Sequence, residues 1–253
     1  MKMTGNTVLI TGATSGIGRG LAEAFHARGN RVIIAGRRQG RLDQISAEHP
    51  GMRGIVLDVR DADAIAALAC RLATEEPDLN VLINNAGISR QEKLAPGEAD
   101  LATTRDIIET NIMSVVNATA AFLPLIAGKP NAAVLTTSSG LAFVPRNNFP
   151  TYCASKAFLH SWIQSLRVQL EQAGVEVLEL VPPYVQSELS GPAQLADPHA
   201  MPLDAFIAEV MSNLEAGNTP EGEILVERVK GHRYAERRGE YARHFDLFNP
   251  RSA

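Results

Sequence analysis

The chain has 253 residues, 45% hydrophobic and 21% charged, with a formal net charge of −4. This is ordinary globular composition with ample apolar material for a core, and the mild acidity argues against nucleic acid as a partner, which needs a positive surface. Two cysteines, Cys70 and Cys153, build no disulfide framework. The histidines (His26, His49, His160, His199, His232 and His244) show no ligand spacing, so no metal is expected. The opening "MKMTGNTVLITG" is not a signal peptide and no run approaches 18 apolar residues, so a cytoplasmic protein with no membrane contact is the expectation.

Short apolar runs alternate with helical patterns along the chain. The first run, "TVLIT" (7–11), leads into "TGATSGIGRGLAEAF", in which Gly12, Gly16 and Gly18 precede a helix over about 16–29. A strand, a glycine-rich turn and a helix start present backbone N–H groups to a phosphate. Glycine also lets a pyrophosphate approach the backbone closely. The spacing G-x-x-x-G-x-G differs from the commonest dinucleotide fingerprint. The next strand, "RVIIAG" (31–36), ends where an NAD site usually carries a carboxylate for the ribose 2′-hydroxyl; Gly36 stands there, followed by Arg37 and Arg38. An arginine fork binds a 2′-phosphate that a carboxylate would repel, which favours NADP over NAD. The plain alternative is a solvated arginine pair opening the helix at 39–48.

"GIVLDV" (54–59) reads as a third strand and "DADAIAALACRLATEE" as a helix over 61–76, with Ile65, Leu68, Ala69 and Leu72 on one stripe. Strands at 81–87 and 132–139 flank a helix over 101–124. That helix contains Asn111, a mediocre helix former in an apolar pattern. A helix over 152–173 opens with Tyr152 and Lys156, stacked on one face one turn apart. Strand 175–181 follows, then a Pro/Gly-rich excursion at 188–222 with an amphipathic helix (Phe206, Ile207, Val210, Met211, Leu214). The end of the chain reads as a last strand at 223–229 and a charged tail at 230–253, whose "ERRGEYARH" reads as a solvated face. Being apolar rather than alternating, the strands suit a parallel sheet covered on both faces. We expect one α/β domain over 1–253, a Rossmann-like doubly wound sheet in a three-layer αβα sandwich.

In order, TGATSGIG (11–18), Asp58, NNAG (84–87), Asn111, the paired serines and YCASK (152–156) resemble the short-chain dehydrogenase/reductase family over about residues 5–190. The "SGLAF" and "VPP" segments resemble its branch named for a D-alanine/teichoic-acid operon, a gene-neighbourhood label that sets no substrate. The resemblance implies cofactor contacts from the glycine loop (Gly12, Thr14, Ser15, Gly16, Ile17, Gly18) and from Asp58 and Val59 at the adenine. It also implies contacts from Asn85, Ala86 and Gly87, from Tyr152 and Lys156 at the nicotinamide ribose, and from Val185 and Ser187 at the carboxamide. The family usually has Pro-Gly where this chain has Pro182-Pro183, a stiffer loop.

The same resemblance implies a catalytic set of Tyr152, Lys156, Ser139 and Asn111. A free phenol has a pKa of about 10, so a tyrosine base near neutrality needs its pKa brought down by about two to three pH units. The Lys156 ammonium and an oxidised nicotinamide are the cations expected to do so. Ser139, 13 residues before Tyr152, is the expected hydrogen-bond donor to the reacting oxygen, with Ser138 as alternative. Asn111 is read as an amide holding water in a proton relay, or else as a buried, satisfied side chain. Leu141, Phe143, Phe149, Tyr184 and Leu189 are expected to wall a mostly apolar pocket for a small carbonyl or alcohol. The apolar helix after YCASK (Phe158, Leu159, Trp162, Ile163, Leu166, Leu170) suggests a homodimer or homotetramer. The expected function is NADP(H)-dependent hydride transfer; a non-catalytic NADP(H) sensor and an epimerase or dehydratase on the same scaffold are the alternatives.

Overall fold

The computed structural model describes residues 1–94, 96, 97, 99 and 101–250. In chain order these form β1 (Thr7–Thr11), α1 (Gly16–His26), β2 (Arg31–Gly36), α2 (Gln39–Glu48), β3 (Arg53–Val56), α3 (Ala62–Glu75) and β4 (Leu79–Asn84). Then come α4 (Leu101–Ile108), a π-helical segment (Glu109–Met113), α5 (Ser114–Ile126), β5 (Ala133–Thr137), α6 (Pro150–Leu170) and β6 (Glu176–Val181). The chain ends with α7 (Leu203–Glu215), β7 (Glu223–Leu225), α8 (Glu227–Arg233) and α9 (Tyr241–Phe248). The strands form one parallel sheet in the order β3-β2-β1-β4-β5-β6-β7.

Period-two alternation divides the apolar strand residues between two cores. Val8, Ile10, Val32, Ile34 and Ile83 meet α1, α2 and α7; Leu9, Ile33, Leu82, Val134 and Val177 meet α3, α5 and α6. The expected Rossmann-like, doubly wound αβα sandwich is therefore the observed fold.

Three of the expected elements differ most from the structure. β3 is four residues long and stops at Val56, so Leu57, Asp58 and Val59 lie beyond it. The last strand is three residues, because its ladder ends at Val181↔Leu225 and Pro182 follows with no N–H to continue it. Glu227–Arg233 then turns helical, with Glu227 at the start and Lys230 and Arg233 at the end, charges that complement the helix dipole. The helix expected over 101–124 is interrupted at Glu109–Met113 by a π turn. The stretch ERRGEYARH (236–244) is exposed or half-buried, as expected, and the tail is anchored on either side of it. Ala235 and Arg233 are buried, and Asn249 ties the tail to the 145–147 loop by accepting from the Asn147 N–H and donating to the Pro145 carbonyl. Residues 251–253 of the expected tail lie outside the described residues.

Candidate active site

Strand order reverses between β1 and β4, which opens a crevice at the carboxyl ends of the strands. The glycine loop lies on one wall, pressed against the NNAG segment. Gly12 has φ +66, and a Cβ there would fall 2.7 Å from the Ala86 Cα; one at Gly18 would fall 2.4 Å from Asn85 Nδ2. Asn85 donates through Nδ2 to the carbonyls of Thr11 (3.2 Å) and Gly12 (3.3 Å), while Thr11 Oγ1 accepts the N–H groups of Asn85 and Ala86. Asn85 and Ala86 thus brace the loop, and Thr11 is a brace that sequence reading missed. Ser15 starts α1 without a side-chain cap, so the first-turn N–H groups face the crevice unclaimed by a capping hydroxyl.

Gly36 sits where a carboxylate was expected and has no room for one, since a Cβ would lie 2.7 Å from Thr14 Cγ2. Thr14 in turn anchors Arg38, which donates to Thr14 Oγ1 (3.1 and 2.7 Å) and Ser15 Oγ (2.7 Å). The remaining edge of the guanidinium meets Glu188 Oε2 at 3.1 Å, and that partner holds the Glu188 carboxyl below the usual range. An anion already sits at the Arg38 fork, and the excursion supplies it; Glu188 was not singled out from sequence. Arg37 is exposed, and its charge reaches Asp58. Asp58 itself is held low first by hydrogen bonds from Arg60, which turns back onto it from two residues away. Val59 is buried at the crevice edge.

The opposite wall starts from α6, whose first residue is Pro150, a residue pre-set for a helix start. Glu92 accepts the Thr151 N–H at 3.0 Å, fixing the turn that carries Tyr152. Tyr152 and Lys156 are both buried. Lys156 Nζ donates to the Thr137 carbonyl at 2.9 Å and lies 5.8 Å from the centre of the Tyr152 ring. The two serines divide cleanly. Ser138 turns to β6 and donates through N–H and Oγ to the Leu180 carbonyl. Ser139 Oγ accepts the Leu141 N–H (3.1 Å), which leaves its own proton to donate, and it stands close enough to the Tyr152 phenol to oppose part of the rise in its pKa. Gly140 follows at once because a Cβ there would strike Val229 of α8 at 2.8 Å.

The charge states differ from expectation. Burial pushes the Tyr152 phenol up to about 12, and Ser139 only partly opposes it. Burial likewise pulls Lys156 down to about 8, against the pull of Glu179. The ammonium is aimed at a β5 carbonyl rather than at the phenol, so in the protein alone desolvation outweighs the cation.

Asn111 lies in the π turn and is fully buried. Its Oδ1 accepts the Ile88 N–H (2.9 Å), and Nδ2 donates to the Ile88 carbonyl (3.0 Å) and Ser155 Oγ (3.1 Å). The amide donors expected to hold a water are therefore taken. Asn111 Oδ1 and Lys156 Nζ both border Gly87, at 3.4 and 3.7 Å from where its Cβ would stand.

Ser187 lies beside Gly16, 3.2 Å from the position of a Cβ there, and Val185 is buried behind it. Buried Gln194 staples this loop by donating to the Val185 carbonyl (2.7 Å) and Ser187 Oγ (3.2 Å). No sequence pattern singled it out. Leu141 and Phe149 pack with Tyr152 as expected, while Tyr184 and Leu189 stay exposed at the rim. Phe143 does not join that wall; it turns into the opposite core, 4.7 Å from both the His160 ring and the Arg233 guanidinium. Arg146 is exposed at the rim, close enough for its charge to act on Tyr184.

Residues 6–197 match the family described as short chain dehydrogenase, and the chain belongs to it. An uncharacterized oxidoreductase of Bacillus subtilis (strain 168), DltE, is 39% identical over 252 residues, covering 98% of both chains. A short chain dehydrogenase of Burkholderia cenocepacia J2315, solved in complex with NADP, has a TM-score of 0.82 at 26% identity and covers 96% of this chain and 99% of its own. A relative from Burkholderia phymatum, solved in complex with NAD, has a TM-score of 0.80 at 22% identity, with 100% and 99% covered, and shows the fold alone. The protein is an oxidoreductase of this family.

Proposed function

We propose that the protein reduces a small carbonyl substrate with NADPH, or oxidises the matching secondary alcohol, through Tyr152, Lys156 and Ser139 within one domain spanning 1–253. The observation that carries the reading is the convergence of a buried phenol, a serine hydroxyl free to donate and a buried ammonium on one wall of the crevice. The glycine loop and first turn of α1 fit a pyrophosphate, and Arg38, braced by Thr14 and Ser15 toward an anion, fits a 2′-phosphate. Arg37, Asp58 and Val59 border the adenine end, Asn85, Ala86 and Gly87 the floor, and Val185 and Ser187 the nicotinamide end. The NADP found with the Burkholderia cenocepacia relative supports the same choice, with NAD the less favoured cofactor. A bound nicotinamide supplies or accepts hydride.

Tyr152 is protonated at neutral pH, which suits it to give a proton to the carbonyl oxygen as hydride arrives, and Ser139 donates a second hydrogen bond to that oxygen. Asn111 acts by clamping Ile88 to Ser155. The mostly apolar wall favours a hydrophobic or weakly polar substrate, and exposed Arg146 adds a positive charge at the rim. Carbonyl reduction needs the phenol protonated and Lys156 charged. The phenol keeps its proton until about pH 12, so the first loss comes from Lys156, and activity should fall as pH rises through about 8. A panel of ketones, quinones, neutral aldehydes and short anionic aldehydes with NADPH, followed at the nicotinamide absorbance across pH, tests this. Rates flat from pH 7 to 10 would remove Lys156 from the account.

No helix among the described residues is long and apolar enough to cross a membrane; a cytoplasmic location is part of our proposal. On α6, Leu159, Ile163, Leu166 and Leu170 are spent on the core, but Phe158 and Val168 remain exposed. They support a homodimer or homotetramer, and a sedimentation mass of one chain would contradict it.

A further inference from the structure

A buried polar row lies beneath Lys156. Asn84, Thr136, Glu179 and Glu223 are register partners across β4, β5, β6 and β7, and all four are buried. Carboxylates in mid-sheet cost several kcal/mol each unless they are paired. Glu223 is paired, receiving Arg233 Nε at 2.6 Å and Nη2 at 2.7 Å. Glu179 is only half satisfied. It is fully buried, its Oε2 lies 2.8 Å from His160 Nδ1, and its Oε1 has no hydrogen-bond partner; nor does Asn84 Oδ1 in the same row.

His160 follows Lys156 by one turn of α6, so the two stand over the same stripe of the sheet. Lys156 Nζ donates to the carbonyl of Thr137, the residue after Glu179's register partner Thr136. The other ring nitrogen of His160 reaches Gln164 at 2.6 Å on the surface side. His160, Glu179 and Glu223 place ligand atoms within 4.8 Å of one another, but Arg233 already claims both oxygens of Glu223, so a metal would have to displace it. Arg233 is taken by Glu223, so the partner left for Glu179 among the described residues is His160. The titratable and charged groups in and around the row are Lys156, His160 and Arg167 from α6, Glu223 from β7, Arg233 from α8 and Glu221, which meets Arg233 at 3.5 Å. Of these, Arg167 is occupied with the Val177 and Gly222 carbonyls.

We propose that Glu179, oriented by His160, is a positioning residue for Lys156, the buried counter-charge that keeps the ammonium protonated at working pH. The inference rests on Lys156 acting with Tyr152 as proposed above. The sign follows from the two opposing influences on Lys156. Burial pulls it down to about 8 while Glu179 pulls it up, so loss of the carboxylate lets it fall further.

The test uses the full chain with Glu179→Gln, Glu179→Asp and His160→Gln. Two profiles are measured against pH: carbonyl reduction, and trace acetylation of Lys156 by acetic anhydride read by peptide mass spectrometry, which needs no turnover. In Glu179→Gln both profiles should move to lower pH together by about one unit or more, with NADPH affinity within about twofold of the parent. Glu179→Asp should fall between, and His160→Gln should shift less in the same direction. A folded Glu179→Gln whose Lys156 titration overlays the parent overturns the proposal. If that variant melts below assay temperature, Glu179→Asp decides: a shift supports the proposal and an unmoved profile overturns it. A shifted lysine titration with no carbonyl turnover in any of the proteins, parent included, keeps the counter-charge and removes the functional reading instead.

Discussion

Tyr152→Phe should lower carbonyl reduction by roughly 10²–10⁴-fold, the usual worth of a positioned general acid, while NADPH affinity changes little. The substitution keeps the ring that packs against Phe149 and Leu141 and removes only the hydroxyl beside Ser139. A phenol pushed up to about 12 by burial holds its proton throughout the physiological range, so the parent starts every reductive turnover charged for donation. Removing that hydroxyl also relieves a desolvated polar group, so the variant should melt at or slightly above the parent's temperature. Fluorescence titration with NADPH and a thermal melt separate a lost proton donor from a lost fold. Turnover that survives at parental rate would take Tyr152 out of the chemistry.

The largest effect on cofactor choice should come from Arg37→Ala combined with Arg38→Ala. Arg38 is held in place by three hydrogen bonds to the glycine loop, so little side-chain entropy remains to be lost when it takes a phosphate. Charge-assisted contacts of this kind are worth about 1.5–3 kcal/mol each, so losing one from each arginine should weaken NADPH by roughly 10²–10⁴-fold and NADH by only a few-fold. Glu188 complicates the free state, because its carboxylate occupies the fork and must give way to the 2′-phosphate. Isothermal titration with both nucleotides gives the comparison. Equal losses for NADPH and NADH would contradict the assignment of the arginine pair to the 2′-phosphate.

Much of this was legible because the relevant signals are local. β1, β2 and α2 match their sequence bounds because glycines, arginines and polar residues punctuate the apolar runs directly. The glycine loop, NNAG and the Tyr–Lys turn are short motifs whose geometry follows from their own backbone. What was misread depends on partners far along the chain. The length of β7 is set by Pro182, which lies across the sheet. Phe143 reads as pocket wall until His160 and Arg233 are seen to take its ring. The π turn at Asn111 reads as continuous helix because its residues differ little from helical ones. Glu179 looks like an anomaly in "VEVLELV", and its meaning requires His160, Glu223 and Lys156 together. In the protein alone the Tyr152 phenol rises instead of falling, because spacing reveals a neighbouring cation but not how much water burial has stripped away.

The most direct test of hydride transfer uses NADPH carrying deuterium at the transferring position of nicotinamide C4, with whichever carbonyl compound the panel shows is turned over. The account predicts one deuterium on the new carbinol carbon for each NADPH oxidised. A product that forms without the label, with the nicotinamide unchanged at the end, would show an isomerase or dehydratase and contradict it.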